Sequence, residues 1–264
     1  MADPEFRRDL YRGAAADYDR FRVPYPQALI DDLLARAGVR GGGRLLDLAC
    51  GTGQIAFAMR HAFAEVWAVD QEPDMVAFVR GKAAVAGNIR CLAAAAEDAA
   101  LPDGAFELVA IGNAFHRLRR DEVAARAMRW LRPGGHLALL WSNGPQAGDA
   151  PWQSALTAVF RRWTPPGRVP ADWDAPRCAR PDVDVLRAAG FAAVGGFRFP
   201  TAYRWSVERL IGYAHSMSGL SRAALGDDVG RFERDVADAL RGHDLVATMD
   251  FAYELARKPA PSGQ

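Results

Sequence analysis

"LLDLACGTGQIA", residues 45–56, is the stretch that decides how this chain folds. It reads as an apolar strand, a glycine turn and the first turn of a helix. Such a unit lifts backbone N–H groups toward an anionic or polar ligand, and Gly51, Gly53 and Ala56 fit the G-x-G-x-x-G/A spacing of dinucleotide sites. Which ligand the turn holds is the question it raises.

Outward from that turn, apolar runs alternate with helical patterns from about residue 28 to residue 142. "RLLDLA" (44–49), "EVWAVD" (65–70), "IRCLAAA" (89–95), "FELVAIG" (106–112) and "GHLALLW" (135–141) read as strands. Their hydrophobicity is continuous rather than alternating, which suits a parallel sheet covered on both faces. "GQIAFAMRHAF", "PDMVAFVRGKAAVAG" and "RDEVAARAMRWL" read as helices, with Pro73 in a first turn and Gly87 as a stop. An optional helix is allowed between the third and fourth strands. The order predicts a doubly wound sheet with right-handed crossovers.

After Trp141 the texture changes. "SNGPQAGDAPWQ" and "WTPPGRVPADWDAPRCARPD" are rich in proline and glycine, with "SALTAVFRRW" as a helix between them. Trp152, Trp163 and Trp173 fall in this insertion, where they either wall an acceptor pocket or cover the sheet edge. "VDVLRAAG" (183–190) reads as a helix, "FAAVGGFRFPTAYRW" as a strand, residues 206–241 as mostly helical and "DLVATMDFAYELARKP" as a last strand, the two final strands suiting an antiparallel pair. The expectation is one seven-stranded Rossmann-like domain. Its segments are an N-terminal closing segment (1–27), a core (28–142), a small, mostly helical cap insertion (about 143–182) and a C-terminal part (183–259).

Composition narrows the partners. Half of the 264 residues are apolar and the net charge is +1, so nothing in bulk charge argues for nucleic acid or an anionic membrane. "MADPEFRRDLYRG" lacks the apolar core of a signal peptide, and no run approaches the length of a membrane span. Cys50, Cys91 and Cys178 are odd in number and widely spaced, which suits reduced thiols in a cytoplasm. Only Lys82 and Lys258 of the 33 basic residues are lysines, and alanine is abundant; this texture hints at a GC-rich source and specialised metabolism. A monomer or homodimer is expected.

Two acids bear on the ligand. Asp47 lies inside a buried strand, which is costly unless it is hydrogen-bonded. It makes sense if it accepts backbone N–H groups of the turn or faces a cationic amino group, and it would repel a pyrophosphate. S-adenosylmethionine carries an ammonium, a carboxylate and a sulfonium but no phosphate. Asp70 ends the next strand, where a carboxylate can hold both ribose hydroxyls; nicotinamide and sulfonium cofactors share that device. Asp47 therefore favours S-adenosylmethionine over an NAD(P)-dependent oxidoreductase, which stays as the rival.

"LLDLACGTGQ" resembles the first motif of class I S-adenosylmethionine-dependent methyltransferases, in the small-molecule, type 11-like branch. "VWAVDQEPDM", "AAEDAALPDGAFELVAIGNAFHRL" and "WLRPGGHLAL" are similar to its later motifs, in order. "AAADYDRFRVPYP" looks like the segment that closes over the cofactor, and "WSVERLIGYAHSMSGL" like the branch's C-terminal region. The resemblance implies S-adenosyl-L-methionine as cofactor, S-adenosyl-L-homocysteine as product, and a small-molecule acceptor with oxygen preferred, then nitrogen, then carbon. It implies that Asp47 and Gly51 lie near the methionine moiety and that Gly53 belongs to the same loop. Asp70 would hold the ribose, Gln71 or Met75 would flank the adenine, and Ala96 and Glu97 would run along its edge. Asn113 would offer its backbone or amide to the amino group, and Tyr18 and Arg22 would meet the carboxylate. Ala49 stands where the family has its first loop glycine, and is expected to ask only for an ordinary backbone angle. A protein that keeps this pocket without methylating is a further alternative, since pocket and chemistry separate on one fold.

His116 follows the fourth strand at the carboxyl-end crevice, where a neutral imidazole could take a proton from an acceptor; the alternative is a packing histidine. His215, in "YAHSMS", is a second candidate base. His61, His136 and His243 read as structural or exposed. No H-E-x-x-H-like spacing appears, so no catalytic metal is expected.

Overall fold

The structure is a computed structural model that describes residues 11–164 and 179–260. Seven strands form one sheet: β1 (Arg44–Leu48), β2 (Glu65–Asp70), β3 (Ile89–Ala93), β4 (Phe106–Gly112), β5 (Leu131–Ser142), β6 (Ala192–Arg204) and β7 (Val246–Arg257). Their spatial order is β3-β2-β1-β4-β5-β7-β6. The first five are parallel, while β7 runs antiparallel between β5 and β6. Strand order reverses between β1 and β4, which is where doubly wound sheets open a ligand crevice.

The continuous apolar runs follow from burial on two sides. Leu45, Val66, Leu108 and Ala138 face one core, whereas Leu46, Val69, Val109 and Leu137 face the other. The first core is closed by α2 (Gln27–Arg36) and α3 (Gln54–Met59), through Leu29, Ile30, Leu33, Ile55 and Met59. The second is closed by α5 (Arg120–Trp130) and α7 (Asp182–Ala188), through Val123, Ala127, Trp130, Val185 and Leu186. Between β2 and β3 runs α4 (Pro73–Ala86), which starts on Pro73 and stops on Gly87 in the left-handed region.

Two readings shift. Residues 94–105 contain no helix, so the optional one between β3 and β4 is absent. β5 begins at Leu131 rather than Gly135, because Leu131 already pairs with Phe106 before the register slips and resumes at His136 opposite Leu108.

A helical layer sits on the first core. It comprises α1 (Ala15–Phe21), α6 (Pro151–Trp163), α8 (Val207–His215), α9 (Arg222–Leu225) and α10 (Val229–Ala239). Ser206 and Ser221 cap α8 and α9, each accepting a backbone N–H at 3.2 Å. Trp152 is buried and its indole N–H donates to the Val246 carbonyl at 3.4 Å. Trp163 donates to Asp235 at 2.8 Å and meets Phe232 edge-on. Both tryptophans therefore cover the sheet rather than wall the cleft, while Trp173 and Cys178 lie outside the described residues. Among the described residues no helix is long and apolar enough to cross a membrane.

Candidate functional site

The turn between β1 and α3 needs three left-handed residues. Gly51 and Gly53 supply φ of 54° and 82°, which glycine does at little cost. Ala49 sits at φ 55°, so the expectation of an ordinary angle is corrected. The chain must turn sharply where β1 ends, and an L-residue held left-handed there costs about 1–2 kcal/mol.

What the turn does with its amides decides the ligand class. Gly51 N–H donates to Asp70 Oδ2 at 2.8 Å, Ala56 N–H to Asp47 Oδ2 at 2.8 Å, and Gly53 N–H to the Cys50 carbonyl at 2.9 Å. These are the three positions of the dinucleotide spacing, and the protein itself has satisfied each. Two of the three acceptors are carboxylates, and that of Asp70 faces the cleft where a pyrophosphate would have to lie.

Asp47 is 1% exposed and stands behind the turn, not on the cleft wall. Of the two arrangements its sequence position allowed, the structure shows the backbone one. Its Oδ1 has no hydrogen-bond partner. Burial, aided by Asp70 and opposed by the Ala56 N–H, pushes its carboxyl up to about 7. Gly53 is likewise off the wall. A Cβ there would come within 3.0 Å of the Phe57 ring and 3.3 Å of Val79, so this glycine serves the turn and its packing.

Asp70 ends β2 facing a cleft of about 720 Å³, the open space at its mouth included. Its Oδ1 accepts the Glu72 N–H at 2.9 Å while Oδ2 takes Gly51, so each oxygen keeps lone-pair capacity for a ligand hydroxyl. Burial raises this carboxyl and the backbone N–H bonds oppose it. Ala49, Gly51, Gln71, Met75 and Ala96 share the wall with Asp70. Glu97 does not; its carboxylate accepts the Arg119 N–H at the start of α5.

The segment before β1 crosses the cleft. Tyr18 lies on the wall against Gly51, and Tyr11 meets it edge-on at 6.0 Å. Burial raises the Tyr18 hydroxyl and Arg22 opposes it. Arg22 itself is turned away. Its guanidinium stacks between the Tyr18 and Tyr213 rings at 4.8 and 4.6 Å, and it donates to Ser216 Oγ at 2.8 Å, Tyr213 Oη at 3.2 Å and the Ser216 carbonyl at 3.3 Å. It ties the segment to α8 instead of facing the cleft. On the other side Gly13 N–H donates to Asp74 at 3.0 Å, and Lys82 pairs with Asp19 at 2.7 Å.

At the end of β4, Asn113 takes φ 51°. Its amide is committed to Ser142, accepting the backbone N–H at 2.9 Å and donating to Oγ at 3.2 Å, so only its backbone addresses the cleft. His116 stands in a one-turn 3-10 helix (Phe115–Arg117) whose neighbours Ala114, Arg117 and Leu118 wall the cleft. Arg117 donates to its Nε2 at 3.4 Å. His215 is corrected as a candidate base. It is fully buried in the helical layer, with Nδ1 3.0 Å from the Leu220 carbonyl and Nε2 3.0 Å from Glu233. Burial alone would raise Glu233, but hydrogen bonds from His215 and Arg222 hold it below the usual range.

Tyr11, Glu72 and Arg117 are wall residues that sequence reasoning missed. Arg117, which donates to the Tyr11 hydroxyl, was legible as the cation beside His116 in "AFHRL". Tyr11 carried no signal beyond its aromatic character. Among the described residues no cluster of three histidines, cysteines or acids could hold a metal.

Comparison with known proteins agrees with this geometry. Residues 46–139 match the family described as "Methyltransferase domain". An uncharacterized methyltransferase of Mycobacterium tuberculosis is 34% identical over 140 residues, covering 52% of this chain and 55% of that protein. The chain thus spans about half the length of such curated relatives. A demethylmenaquinone methyltransferase of Thermus thermophilus is 39% identical over 109 residues, 40% of this chain and 50% of that one. Among solved structures, a putative type II methyltransferase from Anaeromyxobacter dehalogenans superposes with a TM-score of 0.60 at 21% identity, over 91% of this chain and 99% of that one. With the sheet order, the glycine turn and the strand-end acid already in place, residues 46–139 of this chain are similar to a methyltransferase domain, and the chain shares the fold of that solved structure.

Proposed function

We propose that the chain transfers a methyl group from S-adenosylmethionine to a small-molecule acceptor. One observation carries the reading: the Asp70 carboxylate, facing the cleft, takes the Gly51 amide that a phosphate cofactor would use. An uncharged ribose and a zwitterionic tail suit such a wall, whereas a pyrophosphate does not.

The residues divide the work. Asp70 would receive the ribose hydroxyls on its two remaining lone pairs. Met75 and Ala96 would flank the adenine, and the Asn113 backbone carbonyl would take the amino group. Tyr11 and Tyr18 cover the cleft and exclude water. When bound, the cofactor supplies a methyl group already activated by its sulfonium. The protein's task is then to align the acceptor lone pair and keep that geometry dry. His116 is the candidate base for a hydroxyl acceptor, because it follows β4 at the carboxyl-end crevice beside the wall residues Ala114, Arg117 and Leu118.

Oxygen is the first acceptor by family frequency, with nitrogen after it. Likeness to the demethylmenaquinone methyltransferase supports carbon as a second reading. A panel of phenols, amines and quinols with methyl-labelled cofactor, analysed by mass spectrometry, separates the three.

Calorimetry with S-adenosylhomocysteine and with NAD tests the cofactor. S-adenosylhomocysteine should bind and NAD should not. Asp70→Ala removes two charge-assisted hydrogen bonds to the ribose, so affinity should fall at least about 100-fold. Binding of NAD alone would overturn the assignment, and an unchanged affinity in the variant would remove Asp70 from the site.

A further inference from the structure

The sheet carries a second concavity at the opposite end from the cleft. It is an open groove of about 770 Å³, the space at its mouth included, between the end of α2, the start of β5 and the end of β7. Antiparallel pairing places Arg257 opposite His136 in register. The corner is tied by backbone: Gly134 N–H donates to the Lys258 carbonyl at 3.1 Å, and Lys258 N–H returns to Gly135 at 2.8 Å.

Three guanidinium groups line this groove, those of Arg36, Arg132 and Arg257. Two of them are held in place by bonds to carboxylates. Arg36 donates to Asp32 at 2.8 Å and lies 3.8 Å over the Phe197 ring. Arg132 donates to the buried carboxylate of Glu107. Arg257 rests against Gly134, where a Cβ would come within 3.4 Å of its Nη2. A guanidinium has five N–H donors, so the two paired arginines still have several to give.

The charge at this corner is unbalanced. Arg257 has no carboxylate partner among the described residues, and Lys258 directs its ammonium to the Leu131 carbonyl. Beyond the two neutralised pairs, that leaves two positive charges at one corner of a chain whose whole net charge is +1. The field is felt locally. Burial first, then Arg257 and Arg132, disfavour the charged form of His136, and Glu107 only partly offsets them. The same two guanidinium groups thus bear on one ring.

We infer that this groove binds a phosphate group, free or esterified to a small molecule. Forked guanidinium donors from three residues of one groove suit a compact tetrahedral anion, and planar bidentate pairing favours phosphate over a point-like halide. The site lies across the sheet from the cleft, so it stands independently of the methyl-transfer reading.

Calorimetry at low ionic strength tests it, with orthophosphate, pyrophosphate and ADP titrated separately into the full chain. Saturable one-to-one binding of at least one of them is expected. Orthophosphate binding as tightly as ADP marks free phosphate as the ligand, and tighter ADP or pyrophosphate marks a diphosphate ester; both support the site. Arg257→Gln, at an exposed position, should weaken binding at least about tenfold. Arg198→Gln, on exposed β6 and outside the groove, should leave it unchanged, and S-adenosylhomocysteine affinity should be the same in both variants. No saturable heat at millimolar anion, or equal losses in the two variants, would overturn the inference.

Discussion

Replacing Asp47 by asparagine tests how the turn is held. Asp47 is buried with one oxygen on the Ala56 N–H and the other unpartnered, and its carboxyl is pushed from 3.8 up to about 7. Between those two values the native state keeps a proton that the unfolded chain releases. Stability therefore falls as pH rises from about 4 to about 7 and is level above. Three pH units at about 1.4 kcal/mol each set a ceiling of about 4 kcal/mol on that loss. Asparagine is isosteric with the protonated acid and does not titrate. At pH 5 the two proteins should unfold at nearly the same temperature. At pH 8 the variant should be the more stable by about 2–3 kcal/mol, because only the two units from pH 5 to about 7 separate the curves at about 1.4 kcal/mol each, or roughly 4–12 °C in a chain of this size. Calorimetric melting of both proteins at four pH values between 5 and 8 reads the difference directly, because other titrating groups cancel in the comparison. Parallel curves, or a variant that melts lower at pH 8, would refute the account of Asp47.

Ala49→Gly should relieve the left-handed strain of about 1–2 kcal/mol, less about 0.4–1 kcal/mol of added chain entropy, and raise Tm by roughly 1–4 °C; a lower Tm in differential scanning would show that the alanine is not strained. His116→Ala should cut turnover by roughly 100-fold or more, with S-adenosylhomocysteine affinity unchanged, if the imidazole takes the acceptor's proton; a near-normal rate would leave it a packing residue.

Much of the sheet was legible because burial on both faces writes itself as unbroken apolar runs. Val66–Val69 and Leu108–Ile111 have no polar face to offer. The glycine turn was legible for the same local reason, since Gly51 and Gly53 sit where the backbone turns left-handed. What the sequence hid is direction. Asp47 and Asp70 carry the same side chain at successive strand ends, yet one points under the turn and the other into the cleft. Arg22 looked like a ligand for a carboxylate, but Tyr213 and Ser216, some 190 residues later, claim it first. His215 is taken by Leu220 and Glu233 in the same way. Ala49 concealed a strained angle because alanine gives no sign of the backbone it occupies. Such competitions are settled by tertiary contacts that no local spacing records.

The crossing segment is stitched along two edges of unequal strength. Toward α4 it has one bond from Gly13 to Asp74 and the exposed pair of Lys82 with Asp19. Toward α8 it has three bonds and two ring stacks around a single guanidinium, and Asp17 adds a pair with Arg222. Exposed ion pairs contribute little, whereas bonds from a partly sheltered charge contribute more. Any unfastening should start on the α4 margin, so the strap behaves as a flap hinged at Arg22 and travels with the helix it is riveted to.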